Sequence, residues 1–200
     1  MSLGSLLRQR RNVYAFTTKP VSDQTLKKVL KNATHVPSAG FTQDYDFVVV
    51  RDNIVKRKLA QAAYEEQYVR MGHAKERFIS RAPVVVVPCA NKARFESKYG
   101  APAEKNARLP WWLVDSGFAA LALILSSYEE GMAASFIGAI DDQKVIEALS
   151  LPSDNSIIPL AIVPIGYKNQ REQLHWKKAN RKKIQERRRE FVDFVHWGKW

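Results

Sequence analysis

Cysteine is nearly missing from this chain: Cys89 is the only one in 200 residues. A single cysteine excludes an internal disulfide framework and a Cys-rich zinc site. It sits in the apolar run VVVVPCA at 84–90 and reads as an inert core thiol. Histidine is scarce as well. His35, His73, His175 and His196 share no ligand spacing, so each reads as a surface or packing residue and no metal site is expected. The motifs HExxH, GxSxG, GxGxxG and the P-loop are all absent. The acidic pairs Glu65–Glu66, Glu129–Glu130 and Asp141–Asp142 read as helix surface and caps. No nucleophile or acid–base pair therefore stands out, and no catalytic side chain is assigned. An enzyme built on this chain would take its reactive atom from a cofactor. No apolar run approaches the roughly 20 residues needed to span a bilayer. Signal-peptide and lipidation patterns are also missing, which leads to the expectation of a cytoplasmic protein that does not engage a membrane. Internal repeats and low-complexity tracts are not found.

What is present is ordinary for a globular domain: 46% apolar and 26% charged residues. Acidic residues are outnumbered, 20 against 32 Lys and Arg, for a net charge of +12. The excess is uneven. Residues 168–200 hold 11 basic and 4 acidic side chains, or +7, which leaves +5 for the other 167. Such a tail suits nucleic acid, an anionic membrane or an anionic small ligand, and also a solvated helix face.

The stretch 111–138, WWLVDSGFAALALILSSYEEGMAASFIG, organises the rest. From Gly117 to Leu125 no helical phase offers a polar face, which predicts a helix over 113–130 buried all round. At about 1.5 Å per residue it would be roughly 27 Å long. Gly131 is its expected C-cap glycine, and 133–137 reads as a strand closed by Gly138. A buried helix that feeds a strand ending in glycine can present backbone N–H groups to a ligand, although most such helices are simply core.

Around it, 1–11 reads as a short helix ending in a basic cluster. Ser22 caps a helix to about Thr34, and 36–45 reads as an irregular loop. Residues 47–50 and 84–87 are strands, the second buried on both faces. Asn53 caps a helical zone that continues to Ser80, and 91–110 reads as a surface excursion. Asp141 or Asp142 caps a short helix to Leu149. Residues 157–165 form a strand region with Pro159 and Pro164 at strand ends or non-bonding positions. A polar, basic helix or extended segment follows over 173–189. The last stretch, 191–197, is apolar enough to pack on a partner subunit. Helices alternating with about four strands predict an α+β fold: a small mixed β-sheet flanked by helices around the buried central helix.

Eight pieces in one order carry a resemblance. RRNVYAF (10–16), KPVSDQTLKKVLKNA (19–33), PSAGFTQDYDFVVV (37–50) and APVVVV (82–87) come first. The helix from Asp115-Ser116-Gly117, FIGA (136–139), PLAIVPIGY (159–167) and RRREFVDFVHW (187–197) follow. Across essentially the whole chain this resembles the FMN-dependent nitroreductase family. The resemblance implies a single nitroreductase-like FMN-binding domain, 1–200, with 168–200 as a basic C-terminal extension packing on the partner of an intertwined homodimer. It implies hydride taken from NADH or NADPH and electrons passed through FMN to a nitroaromatic, quinone or other small organic acceptor. Arg10, Arg11, Asn12 and Tyr14 match the opening segment that contacts phosphate, ribityl and pyrimidine. Pro37, Ser38 and Ala39 match the loop that packs on the flavin from the partner subunit. Gly138 and Ala139 match backbone amides near N5 and O4, and Arg188 and Arg189 match late basic residues at the phosphate. Arg77 matches a basic residue at the pyrimidine edge.

Elementary chemistry agrees with these roles. A phosphate dianion suits guanidinium forks, and glycine at 138 lets a ring plane approach the main chain. The chain departs from the family pattern at Phe41 (usually Asn), Asp44-Tyr45 (usually Pro-Trp), Asn12 (usually Ser) and Tyr14 (usually Arg or Lys). The segment 168–186 is longer and more basic than usual. Two other readings remain open: a nucleic-acid or anionic-surface binder using the basic tail with Trp176 and Trp197, the less favoured one, and a specialised flavin-binding relative without nitroreductase activity.

Overall fold

A computed structural model describes residues 2–169 and 187–200. The expected basic helix or extended segment over 173–189, together with Trp176, falls largely or wholly outside the described residues. The chain divides into two compact units, 1–168 and 169–200.

The first unit is built on β2 (Val84–Asn91), whose side chains are buried along almost its full length. Alternation along the strand sends Val85, Val87 and Cys89 to one face, among Leu59, Phe78 and Ile79. Val84 and Val86 go to the other, among Leu26, Val29, Leu123 and Ile165. Both faces are covered, which is why the run is continuously apolar. Burial pushes the Cys89 thiol up to about 12, so it stays an inert core group. β1 (Tyr45–Val50) lies on one side of β2, with Val48 opposite Val87. On the other side β4 (Ile157–Pro159) and β5 (Val163–Gly166) follow β2 end to end. β3 (Ala133–Ala134) extends the sheet beyond β5.

All the described strand pairings are antiparallel, where a mixed sheet was expected. Helix–strand alternation suggested parallel neighbours because a single crossover helix returns the chain to its starting end. The β1–β2 connection instead carries two helices, Asn53–Ala62 and Glu65–Arg70, and the loop 71–83, and it delivers β2 from the opposite end.

α1 (Leu3–Gln9) opens the chain. α2 (Asp23–Ala33) is capped by Ser22, whose Oγ accepts the Thr25 N–H at 3.1 Å. Its buried stripe of Leu26, Val29 and Ala33 packs on the central helix. α3 (Asn53–Ala62) begins one residue after Asp52. The Asp52 carboxylate accepts from Ile54 and Val55, so the cap is Asp52 and not Asn53. α4 is Glu65–Arg70. The expected surface excursion after β2 is helical instead: α5 (Lys92–Tyr99) and α6 (Ala103–Asn106). One apolar anchor suffices there, Phe95, whose ring lies 5.3 Å from that of Trp112.

The central helix α7 (Trp111–Glu129) ends as its sequence predicts. Gly131 takes φ +72°, its N–H bonds Tyr128 O at 3.1 Å, and Met132 N–H reaches back to Ser127 O at 2.9 Å. This is the paired closure that a left-handed glycine permits. Its burial is less complete than expected. Phe118 and Leu121 are 43% and 44% exposed, with Val114 and Leu125 half-buried on the same face. Among the described residues, α2 and the sheet cover two sides of α7, and the side that carries Phe118 and Leu121 is left exposed. By length and composition α7 could cross a bilayer, but half of that stretch is buried inside this chain. α8 (Asp142–Leu149) is capped by Asp141 and packs on α3.

In the second unit a 3-10 turn, Phe191–Asp193, is closed by the Glu190 N–H on the Asp193 carboxylate at 3.0 Å. Phe191, Val192, Phe194 and Trp197 are all exposed.

Candidate functional site

Two side chains pin the segment after α1 to the end of the central helix. The Tyr128 hydroxyl accepts the Arg11 N–H at 3.1 Å and donates to Arg11 O at 2.5 Å. Ser135 Oγ, fully buried, accepts the Val13 N–H at 2.7 Å and donates to Val13 O at 2.6 Å. Each hydroxyl thus substitutes for a strand partner, using both its donor and its acceptor capacity. Asn12 Oδ1 then takes the Phe136 N–H at 3.2 Å. The chain crosses α7's end as a third rung would, and Arg10–Tyr14 come to lie beside Phe136–Ala139.

Within this clamp the arginines differ. Arg11 donates to Arg8 O and Arg10 O at 2.7 and 2.6 Å, closing the last carbonyls of α1. Among the described residues no hydrogen bond or ion pair engages the half-buried Arg10 guanidinium. Tyr14 packs edge-on to Phe78, 5.0 Å between centroids, and within 6.1 Å of Tyr68. Burial pushes its phenol up, while the Asn12 side chain, 3.4 Å away, opposes this.

The glycines here have different reasons. A Cβ on Gly166 would sit 2.6 Å from Pro83 Cδ, so that glycine serves strand packing. A Cβ on Gly138 would meet nothing nearer than the Phe136 ring at 3.4 Å. Gly138 and Ala139 are exposed, so the space over their backbone is open.

Arg77 follows a buried device that sequence reasoning missed. Glu65, read as helix surface, is only 3% exposed. Its Oε1 accepts the N–H groups of Phe78, Ile79 and Ser80, and Oε2 accepts Ser80 Oγ at 2.8 Å. A carboxylate gathering three amides fixes the turn, with Arg77 at its edge. Arg77 itself pairs with Glu66 at 2.7 Å and borders an open depression of about 480 Å³ shared with Asn53, Arg57 and Arg81.

Pro37, Ser38 and Ala39 lie elsewhere. The Ala39 N–H donates to Asp115 Oδ2 at 2.7 Å, the Gln43 N–H to Ser38 Oγ at 2.9 Å, and Arg94 Nε to Thr42 O at 2.6 Å. Asp115 opens α7 and Tyr128 closes it. At about 1.5 Å per residue the loop and the clamp of one chain are roughly 20 Å apart along the helix. Arg188 and Arg189 belong to the second unit, where both are exposed. Arg189 donates to Asp193 O and lies 4.6 Å from the Phe194 ring centroid. The structure thus joins the 10–14 segment to the 135–139 segment through Val13–Ser135 and Asn12–Phe136, with Gly138 and Ala139 two and three residues beyond that contact, and Tyr14 against Phe78, the neighbour of Arg77. It holds 37–39 at the other end of α7.

An antiparallel sheet with a long central helix and an open backbone turn at its end defines an α+β class. The comparisons specify it. Residues 7–167 match the Nitroreductase family, to which the chain belongs. It is 28% identical over 176 residues to an NADH dehydrogenase of Thermus thermophilus, covering 80% of this chain and 83% of that one. It is 25% identical over 170 residues to an FMN reductase [NAD(P)H] of Bacillus subtilis, covering 80% and 64%. A nitroreductase family protein of Clostridium difficile 630 superimposes with a TM-score of 0.75 over 100% of both chains, at 20% identity, which shows a shared fold. Family and relatives together support an oxidoreductase.

Proposed function

We propose that the chain is an FMN-dependent NAD(P)H oxidoreductase of the nitroreductase type, cytoplasmic and homodimeric. The observation that carries this reading is the clamp: Tyr128 and Ser135 hold Arg10–Tyr14 against Phe136–Ala139, beside a glycine with no packing partner. A flavin mononucleotide suits those residues. Arg10 offers an uncommitted fork for a phosphate, and Gly138 offers close approach to its N–H. Bound flavin would take hydride from reduced nicotinamide and return electrons to a nitroaromatic, quinone or other small organic acceptor. The chain's own residues orient and shield. Asn12 fixes the Phe136 amide, the Glu65 cradle fixes the turn that carries Arg77, and Tyr14 adds a neutral phenol where a cation is usual. With no cation from Tyr14, a lower flavin potential follows unless Arg77 supplies the charge.

Dimerisation completes the site. The exposed face of α7 is apolar, with Val114, Phe118, Leu121 and Leu125 at helical spacing. A two-fold axis makes such a face self-complementary. Residues 115 and 128 are centred on Leu121 and Ala122, so antiparallel apposition there brings the Asp115 end of one subunit to the Tyr128 end of the other. The 37–39 loop of one subunit then meets the clamp of its partner. We read 1–200 as one such domain, with 168–200 a basic extension whose exposed Phe191, Val192, Phe194 and Trp197 pack on the partner and whose Arg188 and Arg189 serve the phosphate.

The test is the visible spectrum of the purified protein and its bleaching by NADH or NADPH under anaerobic conditions. Bleaching followed by recovery on adding a quinone is expected. A protein that shows no flavin absorption even after FMN is added would end this reading.

A further inference from the structure

Asp44 is fully buried at the head of β1, and among the described residues neither carboxylate oxygen has a partner of normal hydrogen-bond geometry; the Thr42 hydroxyl, which acts on it, is committed to Ala39 O at 2.8 Å. Facing it on α7 is Asp115, 2% exposed, whose Oδ2 holds the Ala39 N–H. Ser116 Oγ lies 3.4 Å from Asp44 O, which sets Asp44 against the Asp115 turn of α7, and the neighbouring Asp115 charge acts on the Asp44 carboxyl.

Among the described residues of one chain, no cation is paired with either carboxylate. From α5, Arg94 Nε is committed to Thr42 O, and Lys98 to Gly40 O. Lys92 pairs with Glu104 and stands 5.9 Å from the Trp112 ring. From β1, Asp46 accepts from Asn91 Nδ2, and the Tyr45 hydroxyl donates to Thr34 O at 2.9 Å. From β2 comes the neutral Cys89 thiol. From α7 come Ser116, whose Oγ donates to Trp112 O, and Trp112, whose buried Nε1 has no partner. Two buried like charges without a cation do not both ionise readily; one holds a proton.

We propose that Asp44 and Asp115 share one proton, Asp44 donating it to Asp115, and that the pair is the positioning device that holds the 37–43 loop on α7. The role in flavin binding rests on the function proposed above; the proton and the loop do not. Burial first, and the neighbouring Asp115 second, raise Asp44 from 3.8 to about 6. Below that pH the pair carries one charge, which Asp115 places on the Ala39 amide and the Asp44 hydroxyl. As pH rises the proton leaves to solvent and two like charges face each other in a buried site. β1 and α7 are locked in the core, so relief falls on the loop.

The loop is poised to give way. Gly40, Phe41 and Gln43 have φ of 52°, 60° and 54°. For Phe41 and Gln43 that left-handed geometry persists only while surrounding bonds over-determine it. It also displays the Phe41 ring to solvent, 74% exposed.

The test is hydrogen exchange of the full-length apoprotein from pH 5 to 8, each rate normalised to the intrinsic rate at that pH. In wild type, protection of the Ala39 and Gln43 amides should fall as pH passes about 6, by roughly tenfold or more. In Asp44→Asn the side-chain amide donates permanently to Asp115, so protection should stay high and flat. Asp115→Asn keeps an acceptor for Ala39 and removes the second charge, and it should be flat too. A wild type with no step, or either variant keeping the wild-type step, overturns the proposal. Because FMN is absent, that outcome is independent of whether the protein binds flavin. In a holoprotein titration, FMN affinity should rise as pH falls through about 6 in wild type and lose that dependence in Asp44→Asn.

Discussion

Ser135→Ala removes a single oxygen that satisfies both main-chain groups of Val13, at 2.7 and 2.6 Å in a fully buried position. Alanine fits the same space, so the substitution isolates the hydrogen bonds. A buried donor or acceptor left unpaired costs about 1–3 kcal/mol. Two such groups give about 2–6 kcal/mol, and partial relaxation of the 11–14 segment toward water brings the expectation to about 2–4 kcal/mol. In a domain of this size each kcal/mol lowers Tm by about 2–4 °C, so a drop of about 4–16 °C is expected. Ser127→Ala is the matched control. Ser127 is equally buried, but its Oγ only adds a second bond to Leu123 O, at 2.8 Å within the same helix. That carbonyl keeps its helical partner, so the cost should stay below about 1 kcal/mol. Urea unfolding of the apoproteins measures both. The clamp also predicts a functional difference. If restoring the segment costs even about 1.4 kcal/mol, FMN binding weakens tenfold in Ser135→Ala and stays unchanged in Ser127→Ala. Equal destabilisation by the two substitutions would refute the clamp as a special feature and reduce Ser135 to ordinary packing.

Arg10→Ala should weaken FMN binding about 10- to 150-fold, the range that corresponds to roughly 1.5–3 kcal/mol for bonds to a charged group, with apoprotein stability unchanged. Arg11→Ala should instead lower apoprotein stability by about 0.5–1.5 kcal/mol through the lost closure of α1, and isothermal titration with FMN and riboflavin separates the two. Gly138→Ala should leave apoprotein Tm within about 1 °C, since the added Cβ meets only the Phe136 ring at 3.4 Å, yet weaken flavin binding; an unaltered flavin titration would show that nothing approaches that backbone. If the proposed dimer forms through the exposed α7 face, Leu121→Glu should sediment as a monomer where wild type sediments as a dimer, because a charge at the centre of that face has no partner across a two-fold axis. Asp44→Asn should raise Tm at pH 8 and lose that gain below about pH 4. The folded-state value of Asp44 lies above the ordinary 3.8, so wild type loses stability as pH rises from about 4 to about 6. At about 1.4 kcal/mol per pH unit the gain is at most about 3 kcal/mol.

How much of this was legible in the sequence follows from where each signal resides. Helix α7, its glycine closure, the caps at Ser22 and Asp141, and the doubly buried valines of β2 are local or periodic. A short window contains their whole cause. Strand direction was not legible, because it depends on what the β1–β2 connection does in space. The exposed side of α7 was hidden by the same uniform hydrophobicity that predicted the helix: apolar residues all round say that every side wants cover, not that one chain provides it. The site divides likewise. Arg10, Asn12 and Gly138 were reachable through motif order, but their holders, Tyr128 and Ser135, are 117 and 122 residues away from the backbone they bind. In sequence Ser135 is one polar residue in an apolar stretch, and Tyr128 is one of five polar residues at the end of α7. That is the available signal for such a holder: a hydroxyl amid alanines or at a helix end must find a partner once buried.

Asp44 and Glu65 carry that reasoning one step further. Both are acidic residues in polar surroundings; Glu65 reads as helix surface and Asp44 as part of an irregular loop. Yet Glu65 is buried among three amides that satisfy it, and Asp44 is buried without a partner of normal hydrogen-bond geometry among the described residues. Desolvation costs the two carboxylates similarly, and only the first recovers it through hydrogen bonds. The second must recover it through a proton. A residue that takes on charge between about pH 4 and 6 inside a core, next to a loop with three left-handed residues, Gly40, Phe41 and Gln43, is costly for stability alone. Replacing it by an amide would improve the fold at neutral pH. The position therefore responds to proton concentration in a way that no neutral residue there could, and segment 37–43, which holds only a single 3-10 turn at Ala39–Phe41, is less firmly built than the strand and helix that carry the pair.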